Sequence, residues 1–164
     1  MIDKLVKQPH SRQAQAITWM PNLDLDCFDP PCLQSIWCRL LIDENNVYWL
    51  NSNIRFRSND AFGAYMMNSF GFVMFLQGIA KEISKRKGVE VQVGRLNWQA
   101  DSFHVYGKDI ANCEKLLISK IQNGLPFEKR VMCFYDDVIQ EMWIECEQSI
   151  IDKIKTMNEK YASK

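Results

Sequence analysis

The sequence lacks an excess of charge of either sign, because its 20 basic residues are balanced by 20 acidic residues over 164 positions. A protein that binds the backbone of a nucleic acid normally carries clustered positive charge. Neutrality therefore argues against a nucleic-acid partner. Any anion that the protein binds must be held by a few local arginines.

Secretion and membrane signals are also missing. The N-terminal residues carry no basic-then-apolar pattern of the kind that marks a secretion signal. Polar residues such as Asn68 and Lys81 interrupt the most apolar segment, 61–83, and a membrane span needs roughly 18–20 apolar residues in a row. We therefore expect a cytoplasmic protein with no membrane partner.

The six cysteines include no Cys-x-x-Cys pair and have no histidine at a metal-ligand spacing. This pattern excludes the common zinc sites, so no metal is predicted. Without a secretion signal the cysteines are expected to be reduced thiols. The remaining question is whether one of them is a nucleophile.

Apolar residues make up 47% of the chain, enough for a packed core, and the length suits a single domain spanning 1–164. Alternating apolar positions predict strands at 15–19, 33–42, 47–56 and 89–105, with the second and third joined as a hairpin. Helical spacing predicts helices from about 60 to 87, 110 to 122 and 135 to 161. Because strands and helices do not alternate strictly, the predicted class is α+β.

The first segment of chemical interest is Asp29-Pro30-Pro31-Cys32. Two prolines exclude a helix and hold the thiol in an extended or turn setting at the start of a predicted strand. A rigid approach suits a nucleophile that must stay in one place. An ordinary buried cysteine after a proline turn fits the same pattern.

The second segment runs from Arg55 to Asp60, with the sequence RFRSND, at a predicted strand-to-helix junction. A helix N-terminus presents unpaired N–H groups and favours a phosphate. Arg57 adds a fork of donors and Ser58 a hydroxyl, and a positive setting favours the thiolate form of a nearby cysteine. The alternative is an ordinary helix cap flanked by surface arginines.

The third segment contains His104 and Tyr106. Because they are two residues apart on a predicted strand, they share one face and can contact the same ligand. A histidine satisfied within the core is the alternative here.

In order and spacing, these segments resemble the thymidylate synthase family. The resemblance extends from about Ser11 to Asp109 and is greater to divergent bacterial, archaeal and phage members, which include pyrimidine-nucleotide hydroxymethylases. It is carried by PPCLQSIWCRLL, RFRSNDAFGAYMMNSFGFVMFLQGIAKEI and ADSFHVYGKDI. The fold that it implies is a mixed sheet with packed helices, paired sheet to sheet in a homodimer.

The resemblance implies a catalytic set of Cys32, Arg57 and Asp60. The thiolate of Cys32 would add to C6 of the uracil ring, so that C5 can take a one-carbon unit from 5,10-methylenetetrahydrofolate. Arg57 would contact the phosphate and stabilise the thiolate, and Asp60 would help to place folate and pyrimidine. The implied activity is methylation of dUMP to dTMP.

The resemblance also implies a nucleotide-binding set. Ser58 matches a phosphate-binding hydroxyl, and Asn68 matches the amide that reads the edge of uracil in preference to cytosine. His104 and Tyr106 match the pair that binds the 3′-hydroxyl of deoxyribose. Arg12 matches an arginine that crosses the dimer interface to the phosphate in the partner subunit.

The sequence departs from the family pattern at several points. Phe56 stands where a glutamine precedes Arg-Ser, Leu33 where a histidine follows the cysteine, and Gln13 where a second interface arginine is usual. Ala64-Tyr65-Met66 replaces the family's Gly-x-Pro. The usual N-terminal segment and apolar closing peptide are not recognisable, so the chain is expected to correspond to the central and C-terminal part of the fold. Hydroxymethylation of dUMP or dCMP through the same adduct, and a noncatalytic nucleotide-binding or dimerisation remnant, remain as alternatives.

Overall fold

A computed structural model of the chain describes residues 1–131, 133 and 136–162, with side chains through 159. It divides into two compact units, Met1–Cys113 and Glu114–Lys164. The prediction of one domain over 1–164 stays a prediction. The elements of the first unit are α1 (Ile2–Lys7), β1 (Gln15–Ile17), α2 (Pro21–Asp24), β2 (Leu33–Ile42), β3 (Tyr48–Phe56), β4 (Asn59–Asp60), α3 (Tyr65–Lys87), β5 (Val91–Ala100), β6 (Phe103–His104), a 3₁₀ turn (Gly107–Asp109) and α4 (Ile110–Cys113).

The main sheet has the strand order β1-β2-β3-β5. β1 pairs antiparallel with β2, β2 antiparallel with β3, and β3 parallel with β5. The predicted β2–β3 hairpin is confirmed, with Leu40 opposite Leu50 and Ile36 opposite Ile54. Its turn is fixed by the Asp43 side chain, which accepts the backbone N–H groups of Asn45 and Val47, both at 2.9 Å.

One face of this sheet is the packed one. Along β3, every second residue from Leu50 to Phe56 is buried, and these side chains form a core with Leu5 of α1 and with Leu76 and Ile83 of α3. α3 ends at Lys87 and is capped by Gly88, whose φ of 67° lies in the left-handed region that glycine tolerates best. On the opposite face Asn53 and Arg55 are exposed, whereas Trp37 and Arg39 are half-buried.

The strand directions bring three chain segments to one end of the sheet. β2 begins there, and because β3 runs antiparallel to β2 and β5 runs parallel to β3, those two strands end there. The pairing then continues into a second sheet of two short parallel strands, with Asn59 opposite Phe103 and Asp60 opposite His104.

The expectation that Ser58-Asn59-Asp60 cap the long helix is wrong. Asn59 and Asp60 form β4, and α3 begins five residues after Asp60, at Tyr65. The backbone N–H of Asn59 donates to Ser102 and that of Ala61 to His104, at 2.9 and 2.7 Å. These long-range bonds hold the segment extended.

The second unit is helical in the part of it that the structure describes. It contains a π-helical turn (Glu114–Ile118), α5 (Ser119–Gln122), a 3₁₀ turn (Phe127–Lys129) and α6 (Asp137–Ala162). Among the described residues, no helix is both long and apolar enough to cross a lipid bilayer. The mixed sheet together with packed helices confirms the predicted α+β class.

We expect Leu50→Ala to lower the free energy of unfolding by about 2–5 kcal/mol, because it opens a cavity in the central strand. Leu50 is fully buried. Urea unfolding followed by circular dichroism measures the change. Leu23→Ala is the matched control, since Leu23 is 61% exposed; equal losses from the two variants would contradict the placement of the core.

Candidate active site

Cys32 lies between Pro31 and the first residue of β2, and its side chain is exposed. Its carbonyl oxygen accepts the backbone N–H of Arg57 at 2.9 Å. This bond extends the β2–β3 pairing one step beyond Leu33 and Phe56. The thiol is therefore accessible and stands beside the Arg-Ser-x-Asp segment.

The Arg57 side chain turns toward the proline pair that precedes the thiol. Its guanidinium donates to the carbonyl oxygens of Pro30 at 2.6 Å and of Pro31 at 3.2 Å, and lies 3.9 Å from the exposed Asp29 carboxylate. Arginine has five N–H donors, so this half-buried side chain keeps further donors for an anion. The Arg57 guanidinium therefore holds the backbone at Pro30 and Pro31 and adds positive charge to the segment that leads to Cys32.

Asp60 is held by the turn that follows it. One oxygen of its carboxylate accepts the backbone N–H groups of Phe62 and Gly63, each at 3.0 Å. The Gly63 bond, then the Phe62 bond and the charges of His104 and Lys108, lower the pKa of Asp60 below its ordinary value. Asp60 is therefore a carboxylate at neutral pH.

His104 lies beside Asp60 across the β4–β6 pairing. Its Nδ1 is 3.3 Å from the hydroxyl of Ser102, and its ring meets that of Tyr106 edge to face at 4.9 Å between centroids. His104 is half-buried while Tyr106 is exposed. The structure therefore brings the predicted His-x-Tyr pair into mutual contact, next to the carboxylate.

The remaining predicted residues lie in three different places. Ser58 is half-buried between Arg57 and Asp60. Asn68 is half-buried in the first turn of α3, where its N–H donates to Ala64 at 2.9 Å. Arg12 is exposed at the edge of the sheet, its carbonyl accepting the indole N–H of Trp37 at 2.9 Å, away from the end where β2 begins.

Two residues at this end were not predicted from the sequence. Ser102 reaches the ring of His104, and a Cβ added to Gly63 would lie 2.5 Å from a carboxylate oxygen of Asp60. Ser102 could have been found, because a residue two positions before His104 lies on the same strand face. Gly63 required knowledge of how the turn closes on Asp60.

The sequence and the fold both resemble those of known proteins. The sequence pattern of the family described as thymidylate synthase matches residues 1–155. A protein of Methanocaldococcus jannaschii is 34% identical over 111 residues, covering 65% of this chain and 45% of that protein. One of Methanosarcina mazei is 33% identical over 109 residues, covering 66% and 45%. Their curated names class both provisionally as thymidylate synthases.

Two solved structures share the fold. Thermostable thymidylate synthase A from Bacillus subtilis superposes with a TM-score of 0.52 at 24% identity, covering 70% of this chain and 37% of that one. The thymidylate synthase of T4 phage gives a TM-score of 0.54 at 20% identity, covering 71% and 37%. The chain spans a little under half the length of the curated relatives that it matches.

We expect Gly63→Ala to raise the pKa of Asp60 toward its ordinary value, because the added methyl group would push the carboxylate away from the two N–H groups that stabilise its charge. A carbon-13 NMR titration of the Asp60 carboxyl measures the shift. Gly78→Ala is the control, since an added Cβ there meets nothing within 4 Å. An unchanged titration in Gly63→Ala would contradict the role of this turn.

Proposed function

This chain belongs to the thymidylate synthase family, and from that premise we propose that it transfers a one-carbon unit to C5 of dUMP through a covalent bond between Cys32 and C6. The observation that carries the proposal is the pairing of Cys32 with Arg57. The residue that carries this exposed thiol accepts the backbone N–H of Arg57 with its carbonyl oxygen. The Arg57 guanidinium bonds to the carbonyls of the two preceding prolines and lies 3.9 Å from the Asp29 carboxylate.

The chemistry follows from what a thiolate does to a pyrimidine. The Cys32 sulfur forms a bond to C6, and the electron pair of the C5–C6 double bond moves onto the C4 carbonyl as an enolate. C5 then becomes a carbon nucleophile. When an electrophile or a solvent proton has added at C5, loss of the original C5 proton and departure of the sulfur restore the ring.

The proposed nucleotide contacts lie around the same end of the sheet. Arg57 and Ser58 would bind the phosphate, since a guanidinium and a hydroxyl donate to its oxygens. Asn68 would pair with the edge of uracil through one donor and one acceptor. His104 and Tyr106 would bind the 3′-hydroxyl of the sugar.

Methylenetetrahydrofolate, when bound, would supply the one-carbon unit and, for methylation, the reducing hydride. The residues near Asp60 fit such a group in character: Tyr65 and Met66 are exposed at the start of α3 and offer flat, apolar surface to a pterin. The Asp60 carboxylate offers acceptors for its N–H groups. These side chains would position the donor against C5.

Hydroxymethylation of the same nucleotide is the second candidate. The observation in its favour is exposure, since Cys32, Tyr65 and Met67 are all open to solvent. Water that reaches an exocyclic methylene on C5 would yield the hydroxymethyl product. The masses of the two products differ by one oxygen atom.

We further propose that two copies of the chain associate through the face of the main sheet that includes Asn53 and Arg55. Arg12 lies at the edge of this sheet rather than at the Cys32 end. A two-fold dimer would let Arg12 reach the phosphate bound in the partner subunit, so that each site draws residues from both chains.

Cys32→Ser should slow the exchange of the C5 hydrogen of dUMP with solvent by about three orders of magnitude or more. The reason is that this exchange requires only the addition of Cys32 to C6. Proton NMR in deuterated buffer measures the loss of the C5 signal. Cys27→Ser, which alters another exposed thiol, should exchange like the unmodified chain. Absence of exchange in the unmodified, folded dimer would instead favour a noncatalytic remnant.

Mixing two impaired variants tests whether Arg12 reaches the site of the partner subunit. Arg12→Ala alone should lose about tenfold or more of the exchange rate. After subunit exchange with Cys32→Ser, about a quarter of the unmodified rate should return, because mixed dimers contain one intact site. Mixing Cys32→Ser with Arg57→Ala is the control and should restore nothing, since both residues belong to the same site. A monomer by light scattering would contradict the dimer.

A further inference from the structure

We propose that Ser102 is a positioning residue, which fixes the imidazole of His104 so that its Nε2 faces the sugar of the bound nucleotide. This inference rests on the proposed function, because it assigns the sugar contact of that same site. The observation behind it is the 3.3 Å separation between the Ser102 hydroxyl and Nδ1 of His104. Ser102 carries no role in the family resemblance.

The backbone of Ser102 is itself fixed on both sides. Its N–H donates to the carbonyl of Arg57 at 3.2 Å, and its carbonyl accepts the N–H of Asn59 at 2.9 Å. The hydroxyl is therefore carried by a residue tied directly to the segment that holds Arg57 and Asp60. A short side chain on so constrained a backbone has little freedom to leave the histidine.

The contact decides which ring nitrogen serves the ligand. Engagement of Nδ1 by Ser102 leaves Nε2 as the nitrogen directed away, whichever of the two carries the proton. Because the Ser102 hydroxyl can donate or accept, the contact fixes the orientation of the ring rather than its tautomer. Without the hydroxyl, the ring of His104 can rotate by half a turn and present either nitrogen to the ligand.

Two further groups close to the ring of His104 suit a small polar ligand. Tyr106 packs edge to face against His104, and the negative charge of Asp60 lies in the neighbouring strand. A sugar hydroxyl can donate to or accept from both Nε2 and the Tyr106 hydroxyl. Fixing the ring removes the entropy that a free imidazole would lose on binding.

The chain contains two histidines, so nitrogen-15 labelling of histidine gives a simple readout that does not depend on activity. His10 serves as an internal reference, because its Nδ1 lies 3.2 Å from the carbonyl of Leu40 and must carry a proton to bond there. In Ser102→Ala the Nδ1 shift of His104 should change, because that nitrogen loses its hydrogen-bond partner, while the shifts of His10 stay. Ser102→Thr should restore the shifts, since it keeps the hydroxyl.

Binding provides the second readout. By calorimetry, the unmodified chain should bind dUMP about threefold to tenfold more tightly than its 3′-deoxy analogue. Ser102→Ala should bring this ratio close to one, and Ser102→Thr should keep it. Ser119→Ala is the control: that hydroxyl donates to Lys115 at the same 3.3 Å in the second unit, and its loss should leave the ratio unchanged.

The outcomes separate the two proposals. If the unmodified chain binds neither nucleotide, the proposed function fails and the role of Ser102 fails with it. If the unmodified chain and Ser102→Ala show the same preference for the 3′-hydroxyl, or the His104 shifts do not move, only the role of Ser102 is overturned.

Discussion

The hydrogen bond from the Arg57 amide to the Cys32 carbonyl is the constraint on which the candidate site depends. It continues the hairpin ladder beyond the last paired residues and so places Cys32 beside Arg57. The same arginine then reaches back to the carbonyls of Pro30 and Pro31. Because proline has no N–H and a fixed φ, this approach segment cannot form a competing ladder. The carbonyls of Pro30 and Pro31 can therefore accept hydrogen bonds from the guanidinium.

The pairing of the three strand ends turns that local contact into a site. Because β5 runs parallel to β3, both strands end at the same edge of the sheet, where β2 begins. The backbone hydrogen bonds between them continue through Asp101 and Ser102 into β4 and β6. Arg55 and Asp101 form a bidentate ion pair beside these bonds, with N–O distances of 2.9 and 3.3 Å. Cys32, Arg57, Asp60 and His104 therefore stand at or directly beside the ends of regular elements, which limits their freedom.

Much of this arrangement could be predicted from local patterns, and the remainder depends on distant parts of the chain. The hairpin was predictable because Asp43 and the apolar alternation on either side of it set both turn and register, and the hairpin brings positions 32 and 57 together. The β4 strand was not predictable. Asn59 and Asp60 have the composition of a helix cap, and only bonds to Ser102 and His104, more than forty residues away, extend them. The contact of Gly63 depends on how the turn closes on Asp60, which local sequence does not encode. Ser102, two positions before His104, could have been found from the strand pattern. The roles assigned to the site residues remain predictions.

The separation in sequence of the paired segments has a consequence for biosynthesis. Arg55 and Asp101 are 46 residues apart, and the whole of α3 must be made before they can meet. During translation the β2–β3 hairpin can form early, since its contacts are local. The pairing of β4 with β6, which places Asp60 beside His104, can form only after β6 has left the ribosome and the intervening loop has closed. Until then the thiol at position 32 is exposed on a hairpin without that second sheet.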